Sequence, residues 1–187
     1  MSTNTREAIL AAARLAAQSH GYNGLNFRDL AAGLGIKSAS IHYHFATKAD
    51  LGAAVARRYW EDTAAALEDI SAETPDAAAA LHRYPEVFRR SLEQDNRLCL
   101  GSFMATEYED LPDAVKTEVL ALSDVMVAWL ARTMTAAGVA RTGPVEQQAY
   151  AVFAAVAGAQ LMARSRADIA LFDALVEGYR ASGLLPA

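Results

Sequence analysis

An all-α protein is predicted from three observations on the 187-residue chain. Apolar residues make up 53% of it, with alanine abundant. Apolar side chains recur at three- and four-residue steps, and β-branched residues never cluster in the alternation a strand requires. The length suits a small helical head joined to a larger helical body. The expected architecture is a three-helix head, residues 1–47, followed by a larger helical body, residues 48–187, with about nine helices in total.

The first helix is expected from Asn4 or Thr5 to about Ser19, with Asn4 and Glu7 as a capping box and Gly21 as its stop. Tyr22, Leu25 and Phe27 supply a core for the head. Asn26, with Asp29 three residues on, caps a second helix that carries Phe27, Leu30, Ala31 and Leu34 on one face. Gly35 ends it, because a glycine accepts the left-handed conformation a sharp turn demands. A third helix from Ser38 buries Ile41 and Phe45 at i, i+4 spacing. It turns Ser38, Ala39, His42 and Tyr43 outward. Two short helices joined at a glycine, with hydrogen-bonding residues on the outer face of the second, form a helix-turn-helix. The second helix of such a motif enters the DNA major groove.

Thr47 with Asp50 caps a fourth helix, about Lys48 to Ser71, roughly 35 Å long at about 1.5 Å per residue. Thr74-Pro75 precedes a fifth helix to about Asp95, in which Pro85 predicts a kink near Leu81, four residues back. A sixth follows from Leu98 to Glu109. Pro112 opens a seventh through Val115, Val119, Leu122, Met126, Trp129 and Leu130, closed by Gly138 and the 141–144 stretch. The eighth, Val145 to Arg164, is uncharged from Ala149 to Ala163 and apolar on both sides, which predicts burial on both. Burying the second side calls for another subunit. Ala151, Ala155, Gly158 and Met162 of this helix, with Phe172 and Val176 of a ninth (about Asp168 to Ala181), are the expected interface of a two-fold homodimer.

Net charge is −5 overall, an unpromising value for a partner of DNA, but the charge is unevenly spread. Residues 1–58 hold seven basic and three acidic side chains, +4, which leaves −9 for the remainder. A basic head on an acidic body fits a protein that meets phosphate at one end only. Cys99 is the only cysteine, so no intrachain disulfide forms and a reducing compartment is expected. Arg6, Glu7 and Arg14 interrupt the first apolar stretch, which argues against a signal peptide. The longest uncharged apolar run, 149–159, is far below the ~20 residues a membrane helix needs. The expected location is cytoplasmic. No residues carry an enzyme reading. Gly33 and Gly35 lack the third glycine and the strand of a dinucleotide fingerprint, and there is no serine elbow or His-Glu-x-x-His. His42 and His44, two apart on a helix, point away from each other and cannot share a metal ion. No cofactor is expected.

The run Phe-Arg-Asp-Leu-Ala-x-x-Leu-Gly-Ile-Lys-x-Ala-Ser-Ile-His-Tyr-His-Phe, followed by Thr-Lys-x-Asp-Leu, resembles the N-terminal signature of TetR-family transcriptional regulators, over about residues 5–55. The resemblance implies base or groove contacts for Arg28, Ser38, Ala39, Ser40, His42 and Tyr43, and phosphate contacts for Lys37, His44, Thr47 and Lys48. It also implies a homodimer that acts as a repressor, released from a palindromic double-stranded operator by a small-molecule effector. For that effector, a chamber is expected among the body helices, lined by Tyr84, Phe88, Cys99, Phe103, Met126, Trp129 and Phe153. The scarcity of basic residues in the body favours an apolar or cationic molecule. Two alternatives stand beside this reading. Leu98 to Glu107 is similar to the sixth-helix segment of a TetR branch that senses electrophiles and oxidants through a cysteine eight residues before a glutamate, with Phe103 here in place of that branch's lysine. The other alternative is a helical ligand-binding oligomer that does not bind DNA.

Overall fold

The computed structural model describes residues 2–140 and 143–185. These form ten α-helices and two 3₁₀ turns: α1 (Ser2–His20), α2 (Phe27–Leu34), α3 (Ser38–His44), α4 (Lys48–Glu73), α5 (Ala77–Arg83), α6 (Glu86–Glu93), α7 (Leu100–Ala105), α8 (Asp113–Ala136), α9 (Val145–Arg166) and α10 (Ile169–Ala181), with the turns at Tyr22–Gly24 and Tyr108–Asp110. With α5 and α6 taken as one helix broken at Pro85, the count is the expected nine, and the fold is all-α. No helix of the described residues is long and apolar enough to cross a membrane.

Local chemistry explains where the boundaries depart from expectation. Asn4 and Glu7 form no capping box, because α1 already starts at Ser2 and both lie inside it; Glu7 instead accepts a bond from Arg58 at 2.8 Å. The kink expected near Leu81 falls at Tyr84–Pro85. Pro85 has no N–H for the Leu81 carbonyl, so that carbonyl takes the N–H of Tyr84 at 3.1 Å, one residue early, and the helix restarts at Glu86. The segment expected as one helix from Leu98 to Glu109 contains only the six residues of α7 and a 3₁₀ turn. Asp95 and Asn96, both at positive φ, first reverse the chain. After Ala105 the chain tightens into three-residue hydrogen bonds, Thr106 to Phe103 and Glu107 to Met104. Of the stretch expected to follow α8, Arg141 and Thr142 lie outside the described residues.

The chain divides by packing into two units, with the division inside α4 and α8: residues 1–61 with 100–122, and residues 62–99 with 123–187. In the first, Ile9, Ala13 and Ala17 of α1, Leu30 of α2, Ile41 of α3 and Leu51 and Val55 of α4 are buried around Leu25 and Phe45. Leu100, Met104 and Val115 are buried in the same unit. Two helices of eight and seven residues are far too short to hold their shape in water alone. This shared core is what fixes them.

The second unit is built on the hairpin of α9 and α10. Ala167 closes α9 in the left-handed region at φ 50°, and the Asp168 carboxylate caps α10 by accepting from the N–H groups of Ala170 and Leu171 at 3.0 and 3.2 Å. Ala149, Val152, Val156, Ala159 and Ala163 form the buried stripe of α9, and Phe172 and Val176 that of α10. One polar side chain sits in the α9 stripe. Gln160, fully buried, accepts from the N–H of Cys99 at 2.9 Å and donates to the carbonyl of Phe88 at 2.7 Å. A single amide thus bonds two backbone groups, an N–H just ahead of α7 and a carbonyl of α6.

Candidate nucleic-acid interface

The outer face of the head is built from its caps upward. Asn26 Oδ1 accepts from the N–H groups of Arg28 and Asp29 at 2.9 and 3.3 Å, which starts α2. Gly35, at φ 65° and ψ 28°, ends it, and the N–H groups of Gly35 and Ile36 bond back to the carbonyls of Ala32 and Ala31 at 3.2 and 3.0 Å. Ala31, expected on the apolar face of α2, is buried. α3 then buries Ile41, with Phe45 just beyond it, and the remaining positions face away from the core. Ala39, His42 and Tyr43 are exposed, Tyr43 at 81%, and Ser38 and Ser40 are half-buried. An aromatic side chain so bare, on a helix whose opposite side is fully buried, is what a surface awaiting a partner looks like.

The cations frame this face. Arg28 and Lys37 are exposed at the start of α2 and at the turn. Thr47 and Asp50 form the expected capping box: Thr47 donates its N–H and Oγ1–H to Asp50 Oδ2 at 2.9 and 2.8 Å, and its Oγ1 accepts the N–H of Asp50 at 3.1 Å. Lys48 follows, half-buried, with Nζ 4.5 Å from the centre of the Tyr22 ring. His42 lies 4.7 Å from Phe27, centroid to centroid, and His44 stands edge-on to Tyr43 at 5.1 Å. All ten residues expected at this face are therefore at the surface of one unit, on the start of α2, the α2–α3 turn, α3 and its C-terminal end, and the start of α4.

Residues 9–55 match the family model described as bacterial regulatory proteins, tetR family. The whole chain has the fold of solved regulators of that family. It is 29% identical to a TetR transcriptional regulator from Legionella pneumophila, with a TM-score of 0.88 and 95% of this chain and 96% of that one covered. To a TetR-family regulator from Agrobacterium tumefaciens it is 26% identical, with a TM-score of 0.91 and both chains covered in full. Residues 9–55 thus match the TetR family, and the described chain shares the fold of its solved regulators. A putative regulator from Saccharomonospora viridis, solved in complex with choline, shares the fold at 21% identity and a TM-score of 0.77, with 96% of each chain covered. No curated protein matches the chain.

Six of the seven residues expected to line an effector chamber lie in the second unit. Tyr84, Phe88, Met126 and Trp129 are buried in the second unit and pack on one another. Tyr84 stacks on Trp129 at 5.9 Å and meets Phe88 edge-on at 5.8 Å, Phe88 lies 6.1 Å from Phe153, and the Tyr84 hydroxyl reaches Met126 Sδ at 3.9 Å. Burial raises the Tyr84 hydroxyl well above its ordinary pKa. Cys99 is 2% exposed in the same unit, whereas Phe103 belongs to the first.

The expected dimer face is also divided. Ala151 is exposed and Ala155 and Gly158 are half-buried, while Met162 is 49% exposed beside Leu161 at 49% and Tyr150 at 50%. Phe172 and Val176 are a correction. They are 1% and 4% exposed within the chain's own α9–α10 hairpin, so neither has surface left to give a partner.

Several functional candidates escaped sequence reasoning. Glu118 of α8 is buried and accepts from Arg57 Nε at 3.0 Å and Trp60 Nε1 at 2.8 Å; the bond from Arg57 is the main reason its carboxyl lies below the usual carboxylate range. Glu107 accepts the N–H of Tyr22 at 2.6 Å. These pairs are 58 to 85 residues apart in sequence, and no local pattern marks them. Gln160 left a trace, as the one large polar side chain in an otherwise apolar run.

Proposed function

We propose that this protein is a dimeric, sequence-specific DNA-binding regulator, a repressor that a small molecule releases from a palindromic operator. The outward face of α3 carries the reading. Its Ser38, Ala39, Ser40, His42 and Tyr43, with Arg28, offer the mixed donors and acceptors that base edges in a major groove require. Lys37, His44, Thr47 and Lys48 surround them as phosphate contacts, which position without reading sequence. On this account residues 1–47 are the DNA-binding domain and 48–187 the ligand-binding and dimerisation domain. The first half of α4, to Glu61, nonetheless belongs with the head in packing, and Leu51 and Val55 share its core.

Dimerisation follows from the open side of α9. Tyr150, Ala151, Leu161 and Met162 present an apolar strip that a second copy would cover, with Gly158 and Ala155 allowing close approach. Two heads so joined would meet half-sites about one helical turn, ~34 Å, apart or a multiple of it. The effector would be apolar or cationic. Tyr84 stacked on Trp129, with Phe88 edge-on, makes a cluster of the ring type that recognises a quaternary ammonium, and a protein of the same fold holds choline. Release would come from an effector that favours a head spacing out of step with the groove. Cys99 is buried, and no observation favours the reading in which it is the sensor.

Titration of a duplex of the protein's own upstream DNA tests the proposal. Specific binding is expected to exceed that to mixed-sequence DNA by at least ~10³-fold. Lys37→Ala is expected to weaken binding to all sequences alike and to lower the salt slope by about 1. Equal affinity for both duplexes would remove the reading.

A further inference from the structure

Lysine is a poor choice for the first residue of a helix, because the positive end of the helix dipole repels it. Lys48 nevertheless opens α4, and its side chain does not trail into solvent: the ammonium stands 4.5 Å over the face of Tyr22. That ring is held from several directions. Tyr22 is only 9% exposed, and its edge lies against Gly52, where a Cβ would come within 2.7 Å of Tyr22 Cε2 and 3.1 Å of Val115 Cγ2. Its backbone N–H donates to Glu107 at 2.6 Å, and Asn23 reaches the other oxygen of the same carboxylate at 3.5 Å. Gly21 makes that approach possible. At φ 68° and ψ −163° it occupies a region that side chains disfavour, and a Cβ there would lie 2.2 Å from Glu107 Oε2.

We infer that Tyr22 is a positioning residue for Lys48, its ring holding the ammonium in place for a DNA phosphate, with Glu107 fixing the ring in turn. The inference rests on the assignment of Lys48 to phosphate made above. A lysine side chain free in solution loses rotamer freedom when it engages phosphate, whereas one already held by a ring face loses less. Three demands meet at one tyrosine: a glycine of positive φ before it, a glycine of α4 against its ring edge, and a carboxylate on its backbone N–H. A core tyrosine needs none of them to bury its ring. Together they set the height and tilt of a face whose other side carries a cation.

The test uses the full chain, a fluorescein-labelled mixed-sequence DNA duplex and a salt series. Lys48→Met is expected to lower the salt slope by about 1. Tyr22→Leu, which keeps apolar bulk and removes the ring face, is expected to weaken binding about 2- to 12-fold, the cost of immobilising one long side chain. Tyr22→Phe is expected to bind as the parent does. In a Lys48→Met background, Tyr22→Leu is expected to change nothing further; an equal loss in both backgrounds would mean that Tyr22 acts on the head in general, and would overturn the inference. A second readout needs no DNA and no altered tyrosine. The ε-methylene protons of Lys48 in the unaltered protein are expected upfield by ring current, and less so in Glu107→Gln. Ordinary lysine shifts in the unaltered protein would overturn the inference even if Tyr22→Leu failed to fold. If the upfield shift is present but Lys48→Met leaves the salt slope unchanged, the phosphate assignment itself fails, and the positioning role falls with it for a separately identified reason.

Discussion

Replacement of Gly158 by leucine separates a solvent-facing helix from a subunit interface. A Cβ built at Gly158 meets no atom within 4 Å in the single chain, and the residue lies in the middle of the 22-residue α9 with no positive φ to defend. If that side of α9 faced water, a side chain there would relieve the entropic cost of glycine in a helix, and the chain would gain about 0.5–1 kcal/mol. In a two-fold dimer formed through this face, the same leucine enters from both copies. Overpacking a well-fitted site costs about 1–3 kcal/mol, so two sites cost about 2–6 kcal/mol and weaken the dimer by roughly 30-fold at the low end. Sedimentation equilibrium over a concentration series reads this as a shift in dimer dissociation constant, and thermal melts at high dilution read the monomer's gain. A Gly158→Leu variant that dimerises as tightly as the parent would refute the assignment of this face, and a parent that stays monomeric at micromolar concentration would refute the dimer itself.

Three further outcomes follow from individual contacts. Gly35→Ala meets no neighbour, so its cost is that of a left-handed residue alone, about 1–2 kcal/mol, read as a lower midpoint in urea with an unchanged m-value. Gln160→Leu strands the buried Cys99 N–H, at about 1–3 kcal/mol, and takes a second bond from the Phe88 carbonyl, and calorimetry should show a clear Tm loss. Glu118 has its carboxyl pKa lowered in the folded protein, chiefly by the hydrogen bond from Arg57. Its contribution is therefore complete above the ordinary value of 4.5 and is lost as the pH falls below it through the lowered folded value. Glu118→Gln should flatten the acid limb of the stability curve, and an acid limb identical to the parent's would refute the pair's role.

What could be read from the sequence was what is written locally. The Asn26 cap, the Gly35 stop and the Thr47–Asp50 box each involve residues three or four apart, and all appear as expected. The i, i+4 pair of Ile41 and Phe45 marked the buried side of α3, and by subtraction its open side. Helix ends governed by distant partners were not legible. The helix expected from Leu98 to Glu109 lost both ends to contacts with residues far along the chain. Gln160 holds the N–H of Cys99 before α7 begins, and Tyr22 holds the Glu107 carboxylate after it stops. Phe172 and Val176 were misplaced for a related reason. Periodicity shows that a helix has an apolar side, but the tight corner at Ala167 determines that this side closes on α9 of the same chain.

Helix α3 is only seven residues long and has no side-chain cap of its own at Lys37. Its fold depends on Ile41, and on Phe45 just past its end, while Ser38, Ala39 and Tyr43 make little demand on the interior. Exchanges at such outward positions usually alter stability by no more than about 0.5 kcal/mol. On the function proposed for this face, the chain could therefore be retargeted to a different stretch of duplex by rewriting a few letters, with the scaffold beneath left as it is.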